Sequence, residues 1–183
     1  MSFDGTDDYV DIKSLNKNIG SAFSVAAWIK TSSGSYQTIA PLGRVSDAPN
    51  NLNWGLTIGF LAANKVEAYA QTGGSTWFDA TSVTSVNDNK WHHVVGTYDG
   101  ETVRVYVDGA LEDSDTGPNG SVITYSTSAS AIGRNEWNPP TSYSPFNGMI
   151  DEVQIYKEAL ILSQIQKLYA QGVLRRLLSL NPL

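Results

Sequence analysis

Carboxylates near both ends of the chain are the first residues whose types and spacing suggest chemistry. In one predicted strand Asp151 lies two residues before Val153, and in another Asp8 lies two residues before Val10. Both valines should face the core, and side chains two residues apart in a strand lie on the same face. Both carboxylates are therefore expected to point inward. Burying two unpaired carboxylates together is costly, and a hard cation such as calcium, which binds carboxylate and carbonyl oxygens, removes that cost. The candidate metal ligands are Asp4, Asp7, Asp8 and Asp151.

A second chemistry is sugar binding, which requires exposed aromatic rings close to polar side chains. The apolar C–H face of a sugar ring stacks on an aromatic ring, while amides and charged groups bond the hydroxyls. Trp28 and Trp91 lie in strand-like segments and are expected in the core, whereas three other tryptophans have polar neighbours. The alternative is that these residues only cover loop edges. The candidate carbohydrate-binding residues are Trp54, Trp77, Arg134, Asn135, Trp137 and Tyr143.

The sequence offers no arrangement that predicts catalysis. Asp151 and Glu152 are adjacent, so in a strand their carboxylates should point to opposite faces and cannot flank one glycosidic bond. His92 and His93 are also adjacent, which predicts one core and one surface histidine rather than a metal site. The absence of cysteine excludes a cysteine nucleophile, a disulfide framework and a thiolate zinc site. We therefore expect no enzyme activity and assign no catalytic residue.

The composition of the 183-residue chain excludes several classes of partner. Apolar residues make up 41% of the chain, which suits one globular domain with a core of its own. The 12 Lys and Arg against 18 Asp and Glu give a net charge of -6, which argues against nucleic acid and against a polybasic membrane anchor. Residues 1–5 lack the pattern of a secretory signal peptide, and no run of about 18 apolar residues is present to cross a bilayer.

Strands are the elements that must position these residues. In residues 91–112, the valines at positions 103, 105 and 107 alternate with larger polar or charged residues, as in a half-buried strand. The pairs Asp99-Gly100 and Asp108-Gly109 favour tight hairpins, so three antiparallel strands are predicted there. Further strand candidates recur at spacings of roughly 8–15 residues, with hardly a helix between them, which indicates two packed antiparallel sheets.

Only the C-terminal part of the chain has a helical pattern. Apolar residues recur at helical spacing over residues 159–169, and Gly172 stands where a C-cap glycine would end that helix. We therefore predict a domain over residues 1–172 and an amphipathic tail over residues 173–183. The tail is expected to dock on the domain, to self-associate with a second copy, or to stay disordered. Its apolar face consists of Val173, Leu174, Leu177 and Leu178.

Four segments, taken in order, carry motifs of a known family. They begin at Phe3, Phe23, Trp91 and Phe146 and have the sequences FDGTDDYV, FSVAAWIK, WHHVVGTYDG and FNGMIDEVQIY. These motifs resemble those of laminin-G-like domains in the concanavalin A-like lectin/glucanase family, and the resemblance covers roughly residues 3–170. It implies an all-β fold, a two-sheet antiparallel jelly-roll sandwich with a short C-terminal helix.

The resemblance also implies that the first and last strands are neighbours, which would bring Asp8 and Asp151 together at one end of the sandwich. Many domains of this family carry a structural calcium near this place, so we expect calcium bound by the four candidate carboxylates. The alternative is that Asp4 and Asp7 cap turns, while Asp8 and Asp151 accept backbone N–H groups.

Domains of this family serve as lectins, carbohydrate-binding modules or adhesion modules, and occasionally as enzymes. We predict a non-catalytic, lectin-like module that binds a poly- or oligosaccharide in an extracellular or cell-surface setting. The alternative is a structural or adhesive module with a protein partner, such as a subunit of a surface or phage assembly. The apolar tail face favours this alternative.

Overall fold

A computed structural model shows two antiparallel β-sheets packed face to face, with one helix on the outer side of the larger sheet. It describes residues 1–12, 21–42, 54–59, 61–72, 76–117, 130–134 and 144–180. The strands are β1 (Ser2–Asp4), β2 (Val10–Asp11), β3 (Phe23–Lys30), β4 (Gln37–Leu42), β5 (Trp54–Ile58), β6 (Lys65–Thr72), β7 (Thr76–Ser85), β8 (His92–Tyr98), β9 (Thr102–Val107), β10 (Ala110–Thr116), β11 (Ala131–Ile132) and β12 (Asn147–Tyr156). The helix α1 spans Leu162–Leu180.

The strand order confirms the predicted all-β sandwich. The larger sheet has the order β1-β12-β3-β8-β9-β10, the smaller sheet has the order β4-β5-β6-β7, and β2 pairs with β11 separately. The three strands predicted within residues 91–112 are β8, β9 and β10, which pair antiparallel in succession. Their second hairpin turns at Asp108 and Gly109, which have positive φ angles of 50° and 80°.

The core lies between the sheets and is built from alternate residues of each strand. In β3, Phe23, Val25, Ala27 and Ile29 belong to this core, whereas Ala26 packs on the opposite side of the larger sheet. Because β3 is covered on both faces, its sequence is an almost continuous apolar run rather than an alternating one. Burying one large aliphatic side chain contributes about 1.5–3 kcal/mol, so a register slip of one residue would be costly.

The helix α1 covers the outer face of the larger sheet. Ile165 is fully buried there and packs in a cluster with Val95 and Tyr106. The helix begins after Ile161, whose backbone N–H donates to Gln164 Oε1 at 2.9 Å. The glutamine thus supplies half of a capping box although no Ser or Thr stands at the N-cap.

Gly172 does not end the helix, so its predicted role as a C-cap is wrong. The helix continues to Leu180 and crosses the boundary that the sequence predicts after residue 172. Gly172 is buried, and a Cβ built on it would lie 2.2 Å from Nε1 of Trp28. A glycine is required here because the helix backbone approaches the indole closely.

Most of the predicted tail face points to solvent. Val173 is half-buried, whereas Leu174, Leu177 and Leu178 are 58%, 55% and 63% exposed. Gly172 and Arg176, which lie on another side of the helix, contact the sheet instead. Within the described ranges, no helix is both long and apolar enough to cross a membrane.

Carboxylates of β10 bond the edge of β7, where the two sheets meet. Glu112 Oε2 accepts the backbone N–H groups of Val83 and Thr84 at 2.8 Å each, and Asp113 Oδ2 accepts the N–H of Thr81 at 2.9 Å. A bulge between residues 111 and 113 of β10 makes room for Glu112 as the extra residue. β7 is an edge strand of the smaller sheet, and these carboxylates accept the backbone N–H groups that a further strand would otherwise pair.

Candidate functional site

Asp151 lies at a β-bulge in β12. Two residues separate Asp151 from Gln154 where the paired strand β3 has one, and Glu152 adopts a left-handed φ of 48°. Ile150, just before the bulge, is fully buried, whereas Asp151 is exposed. The prediction that Asp151 points inward is therefore wrong, because residue parity does not carry across a bulge.

Both acids of this bulge face the helix. Arg176 Nη1 donates to Glu152 Oε1 at 3.1 Å, and Arg176 Nη2 donates to Asp151 Oδ2 at 3.4 Å. The same guanidinium carbon lies 4.0 Å from the ring centroid of Trp28 and 4.6 Å from that of the half-buried Trp91. The expectation that the two carboxylates point to opposite faces is thus also wrong. The bulge lets both of them hold α1 against the sheet.

Of the other three predicted metal ligands, Asp4 is the last residue of β1, and Asp7 and Asp8 lie in the loop between β1 and β2. All three are exposed. Asp8 Oδ2 accepts the backbone N–H of Asp4 at 3.0 Å, and Asp4 Oδ1 accepts the N–H of Thr6 at 2.7 Å. Two of the three carboxylates therefore order their own loop, as the alternative interpretation expects for turn-capping side chains.

These positions do not form a site with all four carboxylates. Asp4 is the register partner of Asn147, four residues before Asp151, which corresponds to roughly 13 Å along a strand. Asp8 precedes β2, whose partner is β11 rather than β12. Among the described residues, no group of three or more His, Cys, Asp or Glu is placed to hold a metal ion. Calcium therefore stays a prediction, and it rests on the β1–β2 loop without Asp151.

An exposed aromatic side chain at the end of this loop lies against a predicted sugar-binding residue. Tyr9 is 43% exposed, and Arg134 Cζ lies 3.6 Å from the centroid of its ring. The pairing of Val10 with Ile132 brings the two side chains to the same end of the sandwich. A guanidinium at this distance attracts the ring face and fixes its orientation. The sequence analysis does not single out Tyr9, because a tyrosine beside Val10 also fits a strand, although the acidic residues around it are a usable signal.

The remaining predicted sugar-binding residues are only partly located. Trp54 in β5 pairs with Ala70, and Trp77 in β7 pairs with Gln71, so both backbones flank the same end of β6 in the smaller sheet. The side chains of these two tryptophans are not among the described ones. Three predicted residues lie outside the described residues, in the segment that follows Arg134: Asn135, Trp137 and Tyr143.

The adjacent histidines are both buried, rather than one core and one surface residue. His92 Nδ1 lies 2.8 Å from Asp108 Oδ2 and its Nε2 lies 3.1 Å from Asp88 Oδ1. The hydrogen bond to Asp108 raises the pKa of His92. His93 packs against Trp28 with ring centroids 5.3 Å apart, and burial lowers its pKa to about 4. The two imidazoles have different surroundings, so they do not form a two-histidine metal site.

A pocket of about 180 Å³ opens at the end of the larger sheet, where β3 ends and β12 begins. Three chain segments meet there around Thr31. The Thr31 hydroxyl donates to the carbonyl of Asn147 at 2.6 Å, and the N–H of Asn89 donates to the Thr31 carbonyl at 2.9 Å. The sequence did not suggest this pocket, because its residues are distant in the chain. Its polar lining includes Ser2, Lys30, Ser32, Asn89 and Asn147.

The two-sheet antiparallel sandwich defines the class of the protein as a concanavalin A-like jelly-roll domain. The chain belongs to the concanavalin A-like lectin/glucanases superfamily, whose family model matches residues 4–166. The resemblance found in the sequence is thereby confirmed.

Two solved structures illustrate the likeness. Domain 4 of AbnA, a GH43 extracellular arabinanase from Geobacillus stearothermophilus, in complex with arabinotriose, is 26% identical, with a TM-score of 0.61 over 81% of this chain and 66% of that chain. The CBM40 of Ruminococcus gnavus IT-sialidase, bound to α2,3 sialyllactose, is 15% identical, with a TM-score of 0.68 over 92% of this chain and 94% of that chain.

A curated relative shares part of the sequence. The Sushi, von Willebrand factor type A, EGF and pentraxin domain-containing protein 1 of Rattus norvegicus is 28% identical in an alignment 130 residues long, which covers 64% of this chain. The chain spans only 4% of that relative's length.

Proposed function

We propose that this chain is a non-catalytic carbohydrate-binding domain that holds an oligosaccharide at the Tyr9–Arg134 end of the sandwich. The observation that carries the proposal is the ring of Tyr9, which is 43% exposed and lies 3.6 Å from the Arg134 guanidinium carbon. A sugar ring stacks on such an aromatic face, and guanidinium N–H groups donate to hydroxyl oxygens. The predicted residues Asn135, Trp137 and Tyr143 follow Arg134 in the chain, and we include them in the same proposed site.

The family relatives support a carbohydrate partner. The AbnA domain is in complex with arabinotriose and is the more similar in sequence of the two solved domains, at 26% identity. The likeness to the sialyllactose-bound domain supports the fold alone. AbnA is an extracellular arabinanase, and we propose an extracellular setting for this chain as well.

The positions of the adjacent acids support a non-catalytic role. Most glycosidases need one protonated carboxylic acid and one ionised carboxylate on either side of the scissile bond. Asp151 and Glu152 are adjacent and both bond Arg176 of α1. These acids anchor a helix and do not stand on either side of a cleft as a catalytic pair must.

Structural calcium is proposed for the β1–β2 loop alone. Calcium binds carboxylate and carbonyl oxygens, and Asp4, Asp7 and Asp8 lie within five consecutive residues, from the end of β1 into this loop. Calcium should raise the melting temperature of metal-free protein, because a ligand of the native state adds about 2.7 kcal/mol at a hundredfold excess over its Kd. Asp7→Ala should abolish this response, whereas Asp151→Ala should retain it. A melting curve that calcium does not move would exclude the loop site.

The test of the main proposal is calorimetric titration with arabinotriose and a glycan array. Tyr9→Ala should weaken binding about fivefold or more, if stacking of a sugar on one aromatic ring contributes about 1–3 kcal/mol, as stacking of a base does. Tyr9→Phe, which keeps the ring, should bind nearly as well as the native protein. Leu111→Ala, which truncates a 49% exposed side chain on β10, is the matched control. If the native protein binds no glycan, the proposed function is wrong.

A structural or adhesive role is the second candidate. It is favoured by the exposed leucines of α1, because three large aliphatic side chains in water on one short face are unfavourable. Self-association through residues 173–178 is the specific form of this proposal. Its test is given in the Discussion.

A further inference from the structure

We propose that the pocket beside Lys30 binds the carboxylate of an acidic sugar residue, such as a uronate at the end of a glycan. The inference rests on the proposed carbohydrate function and names the chemical class of one part of the ligand. It follows from the charge of the pocket, the fixed geometry of its walls and its size.

The pocket lacks negative charge in a chain that carries a net charge of -6. Among the described residues that line it, none is Asp or Glu, and Lys30 is the ionisable one. Asp88 lies near this lining, but its carboxylate pairs with Lys90 Nζ at 2.9 Å and with His92 Nε2 at 3.1 Å. An ammonium group without a lining carboxylate attracts an anionic group of a ligand.

The walls of the pocket are held in place by hydrogen bonds to buried side chains behind them. The Thr31 hydroxyl, which is buried, donates to the Asn147 carbonyl and accepts the N–H of Ser33 at 3.0 Å. The N–H of Asn147 donates to Oε1 of Gln37 at 2.8 Å, and Gln37 is only 1% exposed. A site whose walls are ordered before binding loses less conformational entropy when the ligand arrives.

Gly148 keeps the floor of the pocket close to β3. Its φ is 144°, and a Cβ at this position would lie 2.2 Å from the carbonyl oxygen of Lys30. The backbone of β12 therefore passes directly beside the end of β3, which brings Asn147 and Met149 to the same opening as Lys30. This arrangement requires glycine.

The remaining lining suits one sugar ring. Side-chain amides of Asn89 and Asn147 both donate and accept hydrogen bonds, as sugar hydroxyls require. Met149, which is 43% exposed, supplies an apolar contact for C–H groups. A volume of about 180 Å³ is below the roughly 300–1,000 Å³ of clefts that enclose drug-sized ligands. The pocket is thus too small to enclose an oligosaccharide, and we assign it a single sugar residue.

The experiment compares glucuronate, glucose and acetate as probes, with binding followed by NMR shifts of backbone amides. Glucuronate and glucose differ in the carboxylate, and acetate lacks the ring. Glucuronate should bind about tenfold more tightly than glucose, which corresponds to roughly 1.4 kcal/mol, because its carboxylate adds a charge-assisted hydrogen bond to Lys30. It should also bind more tightly than acetate, and the largest shifts should fall at Lys30, Asn89 and Met149.

Lys30→Met, which keeps the aliphatic stem, should reduce glucuronate binding to the level of glucose. Lys167→Met removes an exposed charge from α1 and should leave binding unchanged. Equal affinity of the native protein for glucuronate and glucose would overturn the proposal, as would an unaffected Lys30→Met variant. Acetate binding as tight as glucuronate would exclude recognition of the sugar ring. Oligosaccharide binding that depends on Tyr9 but not on Lys30 would contradict this inference alone and leave the proposed function intact.

Discussion

Gly172 lies directly against the indole of Trp28, with its missing Cβ only 2.2 Å from Nε1 of that ring. One turn earlier, the ring of Tyr169 stacks on the same indole, with centroids 5.7 Å apart and planes 19° from parallel. One turn later, the Arg176 guanidinium carbon lies 4.0 Å from it. A single side chain of β3 therefore contacts three successive turns of α1, which makes Trp28 the main docking point of the helix.

Gly172→Ala should destabilise the protein, although replacing a mid-helix glycine by alanine usually stabilises a helix by about 1 kcal/mol. The added methyl group would meet the indole, and overpacking of this kind typically costs about 1–3 kcal/mol. Urea unfolding of the variant gives the free energy. Gln171→Ala, at the exposed neighbouring position, is the control and should have little effect. A more stable Gly172→Ala variant would contradict the close helix approach.

His93 should make the protein sensitive to mild acid. Burial, with a smaller contribution from Arg176, lowers its pKa from 6.5 to about 4, while Asp108 acts in the opposite direction. Below pH 6.5 the unfolded chain binds a proton that the folded chain does not bind until about pH 4. Stability is therefore complete above pH 6.5 and declines as the pH falls towards 4, by up to about 3 kcal/mol.

The measurement is urea unfolding at several pH values between 7 and 4. His93→Gln should flatten the decline in this window, because glutamine does not titrate. His92 acts with the opposite sign: its pKa is raised by the bond to Asp108, so its contribution is lost as the pH rises through that pKa. If His93→Gln retains the native pH dependence, another group causes it.

Glu112→Ala should loosen the junction between the two sheets. This variant removes the acceptor of the Val83 and Thr84 N–H groups and of the Thr84 hydroxyl, and a loss of about 1–3 kcal/mol is expected. It also leaves backbone donors of β7 unpaired at a sheet edge, which favours pairing with a second chain. Light scattering should therefore show more association.

Hydrogen exchange at Val83 and Thr84 is the local readout for this variant and should accelerate. Glu112→Gln, which keeps an acceptor oxygen, should show a smaller effect, and Glu158→Ala at an exposed position should show none. Unchanged exchange at both amides in Glu112→Ala would show that the side chain does not protect the edge.

The exposed leucines of α1 should control the oligomeric state, if the second candidate function holds. Replacing Leu174, Leu177 and Leu178 together by Gln removes the apolar face and keeps the helix propensity. The native protein should then be larger than the triple variant in light scattering at micromolar concentration. Ile161→Gln, which removes an exposed apolar side chain before α1, is the control. A monomeric native protein would rule out self-association through this face.

Part of the candidate site could be predicted from the sequence. Arg134 was predicted as a sugar-binding residue because of its neighbours in the chain, and the structure places it against Tyr9. Tyr9 was missed because a tyrosine beside Val10 fits a buried strand as well as an exposed edge. The pocket at Lys30 was not predictable, since its walls come from β1, the ends of β3 and β12, and the loop before β8.

The sequence by itself determined the fold class and the hairpins. The alternation of apolar and polar side chains along β9 and the Asp-Gly pairs around it are properties of a few consecutive residues. Local backbone preferences are therefore enough to predict the strand and its turns. The tertiary structure alone decided the role of Gly172 and the direction of Asp151. The residues around Gly172 fit a glycine that ends a helix as well as one that lets the helix pack closely on an aromatic ring. Only the contact with Trp28 in the folded protein distinguishes these two roles. Asp151 directly precedes a bulge whose extra residue is set by the pairing with β3, and a single strand's periodicity contains no information about its partner's register.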